Sequence, residues 1–218
     1  MTKQPTVTQQ IVEEFLGDVA PLAEQIGSAE GLVALSSAAA QQGHRVPDGP
    51  SLRGFLCDYH SQILVPLELP AICRAHGHAA RYEIRELIAL DRQLADEPLL
   101  QRFATASQRV GKTQLKRLRP LRDQRLVQRY LRAVQAGEAH GWHTVVYGLV
   151  LSLYSLPLRQ GLLSYARQTT RGFVRSASGR LRLGETECQD LVSEVCSRLP
   201  EAVNTVLTTA AGAKPQIG

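Results

Sequence analysis

The 218-residue chain reads as an all-α protein, a single-domain helical bundle of about ten helices. Three observations predict this. Apolar residues recur at intervals of three and four along most of its length. Hydrophobic residues make up 44% of the chain and aromatics only 5%, with Leu and Ala abundant, which suits helix-on-helix packing better than a β-sandwich built on β-branched and aromatic alternation. No series of alternating segments marks a set of strands.

Taken in order, Ile11, Val12, Phe15, Leu16 and Val19 form one apolar stripe, and Leu32, Leu35 and Ala39 a second after Gly31. Residues 43 to 50, GHRVPDGP, make a loop, and the Ser51 hydroxyl is suited to cap a helix carrying Leu52, Phe55, Leu56, Tyr59 and Ile63 on one face. Pro66 and Pro70 each remove an amide donor and disfavour helix at the residue before, so they bracket a connector, and a helical hairpin is expected. Ile84, Leu87, Ile88, Leu90 and Leu94 mark the next helix. Asp96, Glu97 and Pro98 start another, with acids at the positive end of the dipole, and Pro120 ends it. A helix from Asp123 to Ala136 is followed by a loop at Gly137 and Gly141, then a helix from Val145 to Tyr154. Pro157 opens a long helix that breaks at Gly179. Glu185 to Leu199 and Glu201 to Thr209 complete the series. Residues 1–218 are read as one domain, with about 1–25 and 208–218 expected to be flexible.

Composition limits the functional classes. No run of eighteen uninterrupted apolar residues is present, so no membrane span is expected. The start, MTKQPTVTQQ, lacks the apolar region of a secretory signal, and a cytoplasmic protein is the expectation. Cys57, Cys73, Cys188 and Cys196 are too sparse for a disulfide framework and are expected to stay reduced. The net charge of +5 favours acidic partners by long-range attraction.

Several constellations bear on chemistry. Ala106 to Thr113, ASQRVGKT, fits a relaxed phosphate-loop pattern. Yet it lies on a helical face with Leu99, Phe103, Val110 and Leu118, where a working loop needs several glycines between strand and helix. Cys57-x-x-His60 and Cys73-x-x-His76, with His78 nearby, are the metal candidates, because each pair shares a helix face and the two arms of a hairpin would make them neighbours. Packing and solvent-facing roles are the plain alternative for these residues, and no resident metal or cofactor is expected. His44, His140 and His143 carry no ligand spacing. No nucleophile elbow or H-E-x-x-H helix occurs, Glu83 and Glu86 read as solvated helix residues, and no enzyme activity is expected. Between Arg102 and Arg132 stand ten cations against one acid, Asp123. Such a segment suits an acidic protein partner, simple solvation or nucleic-acid phosphates, with single-strand binding disfavoured because Tyr130 is its only aromatic beyond Phe103.

The most specific string is SYARQTTRGFVRSASGRLRLGETECQDL, Ser164 to Leu191. It resembles the C-terminal signature of the UreF family of urease accessory proteins, in which a helix ending S-A-A-V-R-L precedes a turn, L-G-Q-T-x-x-Q and another helix. Ser176 and Ala177 take the small positions, Arg180 and Leu181 the R-L pair, and Leu183, Gly184, Thr186 and Gln189 the following motif. Glu185 stands where the family has Gln, and the turn is one residue shorter and lacks its proline. SLRGFLCDYHSQILVPLELPAICRAHGHA is similar to the family's P-L-D-L-P region and ATASQRVGKTQLKRL to its A-S-x-Q-M-G-R helix, so residues 51 to 205 fall within the resemblance. The family's L-P-V-G-G-F segment is matched only by Pro21, Ser28, Gly31 and Leu32.

The resemblance implies an all-α urease maturation factor that is not itself an enzyme. It would bridge the scaffold UreD (UreH) and the GTPase UreG and so promote nickel insertion into apo-urease, as a homodimer gathering two GTPases. By position, Arg180, Arg182, Gly184, Glu185, Thr186 and Gln189 would face the GTPase, Leu181 would pack in the core and Tyr165 would be buried. The N-terminal segment and the C-terminal tail would order against the scaffold. The alternative class is a basic helical nucleic-acid-binding or regulatory module, which requires the arginines of residues 102 to 132 to share one surface.

Overall fold

A computed structural model describes residues 48–121 and 124–212, and these are helical throughout, joined by short turns. The segments are α1 (Gly49–Tyr59), a π-helical stretch (His60–Glu68), α2 (Leu69–Ala80), α3 (Ile84–Ala95), α4 (Pro98–Gln101), α5 (Ala104–Arg117), α6 (Arg125–Gln135), α7 (His143–Leu153), α8 (Leu158–Leu181), α9 (Glu185–Val195) and α10 (Leu199–Gly212). Counting the rod from α1 to α2 once and setting aside the four-residue α4, the described residues hold eight helices. The stripes expected at 11–19 and 32–39 lie outside the described residues, as do His44 and the motif positions Pro21 to Leu32.

The expected hairpin is replaced by a single rod. Helix runs unbroken from Gly49 to Ala80, and Pro66 is accommodated inside the π stretch rather than ending the helix. There the backbone bonds to the fifth preceding carbonyl, as from Leu69 N–H to Leu64 C=O, which is how a helix absorbs a residue that cannot donate. Pro70 then falls in the first turn of α2, where a missing amide hydrogen is tolerated. The start of the rod also differs from expectation. Its N-cap is Asp48, whose Oδ1 accepts from Ser51 N–H at 2.9 Å, so the carboxylate does what the Ser51 hydroxyl was expected to do.

The bundle is organised around α7, in which every residue from His143 to Leu151 is buried, the pattern of a helix enclosed on all sides. Its closest neighbour is α2. At Gly148 an added Cβ would stand 2.6 Å from the Ile72 carbonyl oxygen and 2.7 Å from Ala75 Cβ, so the backbones approach closely because no side chain intervenes. On another side α5 meets the start of α7, where a Cβ on Gly111 would overlap the Gly141 carbonyl and lie 2.8 Å from His143 N. The Gly-Lys-Thr segment is therefore interior helix, and its glycine serves close packing.

The loop entering α7 takes positive φ at Gly137 and Gly141, 76° and 73°. It is held by Asp91 of α3, a fully buried carboxylate. Asp91 accepts from the backbone amides of His140, Gly141 (3.0 Å) and Trp142 (3.0 Å) and from the Tyr130 hydroxyl (2.6 Å). Four donors converge on one carboxylate, which compensates the desolvation of its charge. The helix expected from Asp96 onward is interrupted at Arg102 and Phe103. The aromatic ring of Phe103 is buried there against Tyr59 and Phe173.

Candidate functional site

The segment singled out by sequence forms the corner between α8 and α9. Helix α8 does not stop at Gly179 but continues to Leu181, and the chain turns at Arg182, which adopts the left-handed conformation (φ 54°, ψ 37°). The Leu183 amide closes the corner by donating to Ser178 C=O at 3.1 Å. Glycine is the residue usually found at such a position, and a side chain there costs about 1 kcal/mol or more.

Gly184 is the N-cap of α9, and its amide donates to Glu187 Oε2 at 2.7 Å. Glu185 and Glu187 occupy the first turn, where carboxylates are favoured by the helix dipole. Gln189 Nε2 donates to Glu185 Oε1 at 3.4 Å.

The arrangement is a raised edge rather than a cleft. Arg182, Gly184, Glu185, Thr186 and Gln189 are all exposed, Leu181 and Leu183 are half-buried, and Arg180 lies in the last turn of α8. No residue of α9 is fully buried, although Cys188, Leu191, Val192 and Val195 lean on the core. Beside this edge runs an open groove of about 630 Å³ between α1 and α9, lined by Arg53, Gly54, Cys57, Leu183, Glu187 and Leu191 among others. An exposed Arg53–Glu194 ion pair spans the two helices. Carboxylates and apolar side chains are thus offered together on a helix that the bundle covers on one side only, an arrangement suited to contact with another protein.

The metal candidates do not form a cluster. Cys57 and His60 are separated from Cys73 and His76 along the same rod, not brought together by a hairpin, and the thirteen helical steps from His60 to Cys73 span about 20 Å. Cys57 is exposed, His60 Nε2 lies 2.7 Å from Thr170 Oγ1, and Cys73 is buried. Burial pushes the His60 imidazole down to about 4 and the Cys73 thiol up to about 11. His78 Nδ1 lies 2.7 Å from Glu83 Oε2. Among the described residues no group of three or more His, Cys, Asp or Glu side chains is gathered as for a metal ion.

Glu83, read as a solvated residue, is half-buried at the start of α3 and is held down to about 2 by hydrogen bonds from Arg81 and His78. Tyr165 is buried, and the inner histidine His143 meets the Tyr147 ring edge-on and the Tyr165 ring at a tilt.

One group escaped the sequence reading. Glu68, in the π stretch, is 3% exposed and accepts from the Tyr59 hydroxyl at 2.5 Å. Burial pushes its carboxyl up to about 7, against the opposing effect of hydrogen bonds from Tyr59 and Tyr165. The available signal was its register, four residues after buried Leu64 and four before buried Ile72.

Comparison with known proteins adds one finding. A family model described as UreF matches residues 46–196, more than half of the chain, and no curated protein matches it. The matched span includes the rod, the buried α7 and the whole α8–α9 corner.

Proposed function

The chain belongs to the UreF family of urease accessory proteins, and on that premise we propose that it is a non-enzymatic adaptor which bridges the UreD (UreH) scaffold and the UreG GTPase during nickel insertion into apo-urease. Membership gives the accessory role in urease maturation. The bridging role is supported by the α8–α9 corner, where the matched region presents an exposed edge on a helix with no fully buried residue. Arg180, Arg182, Gly184, Glu185, Thr186 and Gln189 are the residues through which the GTPase is engaged, and the working unit is a homodimer in the cytoplasm.

Arg182 supports this further. Left-handed backbone also occurs at Tyr82 and Ser155; of the three, only Arg182 lies at the α8–α9 corner, and its side chain is the one assigned to the contact. Co-expression with UreD and UreG, followed by tagged pull-down and light scattering after size exclusion, is expected to give a complex with two copies of this chain. Arg182→Gly is expected to raise stability by about 1 kcal/mol while weakening retention of UreG. A well-folded chain that fails to bind UreD would overturn the bridging role. Undiminished UreG retention by Arg182→Gly would remove Arg182 from the contact.

A further inference from the structure

We propose that the outward face of α5 and α6 is a second docking surface, one that receives an acidic protein surface. On α5, Arg109, Lys112 and Lys116 are exposed at spacings of three and four, and on α6, Arg125, Arg129 and Arg132 repeat the pattern. Those spacings set the three cations of each helix along one face.

The opposite faces are fixed in the bundle. Val110, Gly111, Gln114 and Leu115 of α5 are buried, as are Leu126, Val127, Tyr130 and Leu131 of α6. The two helices pack against each other. The Gln128 side chain ties α6 to the connector, donating to the carbonyls of Arg119 at 3.2 Å and Leu121 at 2.9 Å. Each helix therefore carries its three cations on the side away from its buried residues.

None of the six forms an ion pair among the described residues, unlike Arg53, which pairs with Glu194, and Arg81, which pairs with Glu83. From Pro98 to Ala136 the only acid is Asp123. Like charges three and four residues apart on one helix repel one another, and an oppositely charged partner relieves that repulsion.

This surface is separate from the α8–α9 corner. Helices α5 and α6 pack on α3, α4 and α7, whereas α9 packs on α1 and α8. Its chemistry disfavours single-stranded nucleic acid. The aromatic side chains of the segment, Phe103 and Tyr130, are 3% and 0% exposed, so no ring is available to stack on a base. The preference for a protein partner also rests on the adaptor reading above.

The test uses the full chain and two fluorescein-labelled probes, a poly-L-glutamate peptide and a random DNA duplex, with binding followed by anisotropy at low and physiological salt. The peptide is expected to bind, and Arg125→Glu/Arg129→Glu/Arg132→Glu to weaken it by on the order of tenfold. The equally charged control Arg171→Glu/Arg175→Glu/Arg198→Glu, at exposed positions elsewhere, should change binding less than twofold, about the scatter of such a comparison. Arg109→Glu/Lys112→Glu/Lys116→Glu is the second variant should the first fail to fold. No peptide binding, or equal weakening by the control, overturns the surface. Tighter duplex binding lost on the same substitutions overturns the choice of protein. Assembly with UreD and UreG is measured separately, so failure here and failure of the adaptor role are distinguishable.

Discussion

Gly148→Ala tests whether α7 is the hub of the bundle. The new methyl would lie 2.6 Å from the Ile72 carbonyl oxygen, 2.7 Å from Ala75 Cβ and 3.0 Å from His76 N, and ordinary contact begins at 3.4 Å. Two of those atoms belong to the α2 backbone and cannot swing aside, so the helices must separate by roughly 0.8 Å at this point. Overpacking of this kind costs about 1–3 kcal/mol, and rigid backbone puts the cost near the upper end. Alanine recovers about 1 kcal/mol of helix propensity. The net loss is about 2 kcal/mol, and for a chain of this size the thermal midpoint should fall by about 4–8 °C. Gly179→Ala provides the contrasting case. Its position is helical and exposed, and nothing lies within 4 Å of the added Cβ. That variant should gain up to about 1 kcal/mol. Both are read by thermal and urea unfolding followed by circular dichroism. A Gly148→Ala protein as stable as the parent would refute the close approach of α2 and α7.

Three further outcomes are expected. Because the Glu68 carboxyl is raised from 4.5 to about 7 by burial, the folded state holds a proton that the unfolded chain releases. The stabilisation is full below about 4.5 and is lost as pH rises through about 7, a loss of about 3 kcal/mol. Urea midpoints of Glu68→Gln should therefore decline less than those of the parent between pH 5 and 8, and parallel profiles would refute this. His60, lowered from 6.5 to about 4 by burial, acts with the opposite sign and loses its contribution as pH falls through about 4, so the difference between the two proteins, not the parent profile alone, reports Glu68. Asp91→Ala would leave the Tyr130 hydroxyl and three loop amides without their acceptor. It should cost about 3–5 kcal/mol, seen as a midpoint well below that of Gly148→Ala, and parent-like stability would refute the anchoring role. Arg53→Ala removes only an exposed ion pair and should cost under about 1 kcal/mol in urea unfolding. A larger loss would mean that the pair fixes α9.

Much of the fold is legible because amphipathic helices announce themselves. Ile84 to Leu94 and Asp123 to Ala136 are read from one-sided apolar spacing and appear as α3 and α6 with their ends moved by a residue or two. What failed depends on contacts distant in sequence. Gly179 reads as a helix stop, yet α8 passes through it, because Arg182 supplies the left-handed turn that a glycine would have supplied. Nothing in the local spacing sets Asp91 apart from other helix acids. Its burial is imposed by loop amides some fifty residues away, which local spacing does not show. The α8–α9 corner was legible only as a string of residue types resembling a family signature; that Arg182, Gly184, Glu185, Thr186 and Gln189 stand exposed required the packing of α9 against α1 and α8.

The π stretch changes the phase of the rod. From α1 into its first turn the buried residues include Leu52, Leu56, Tyr59 and Ile63, and from its last residue onward they include Glu68, Ile72, Ala75 and Ala79. An uninterrupted α-helix would carry the first series onward through positions close to Pro66, Pro70, Arg74 and Gly77, and of these Pro66 and Arg74 are exposed and Pro70 and Gly77 only half-buried. Removing one residue between His60 and Glu68 would turn everything beyond it by about 100°, carrying Ile72 and Ala75 away from α7. The number of residues in that stretch, more than their identity, therefore sets how the face of the rod that meets α9 is aligned with the face that grips the hub.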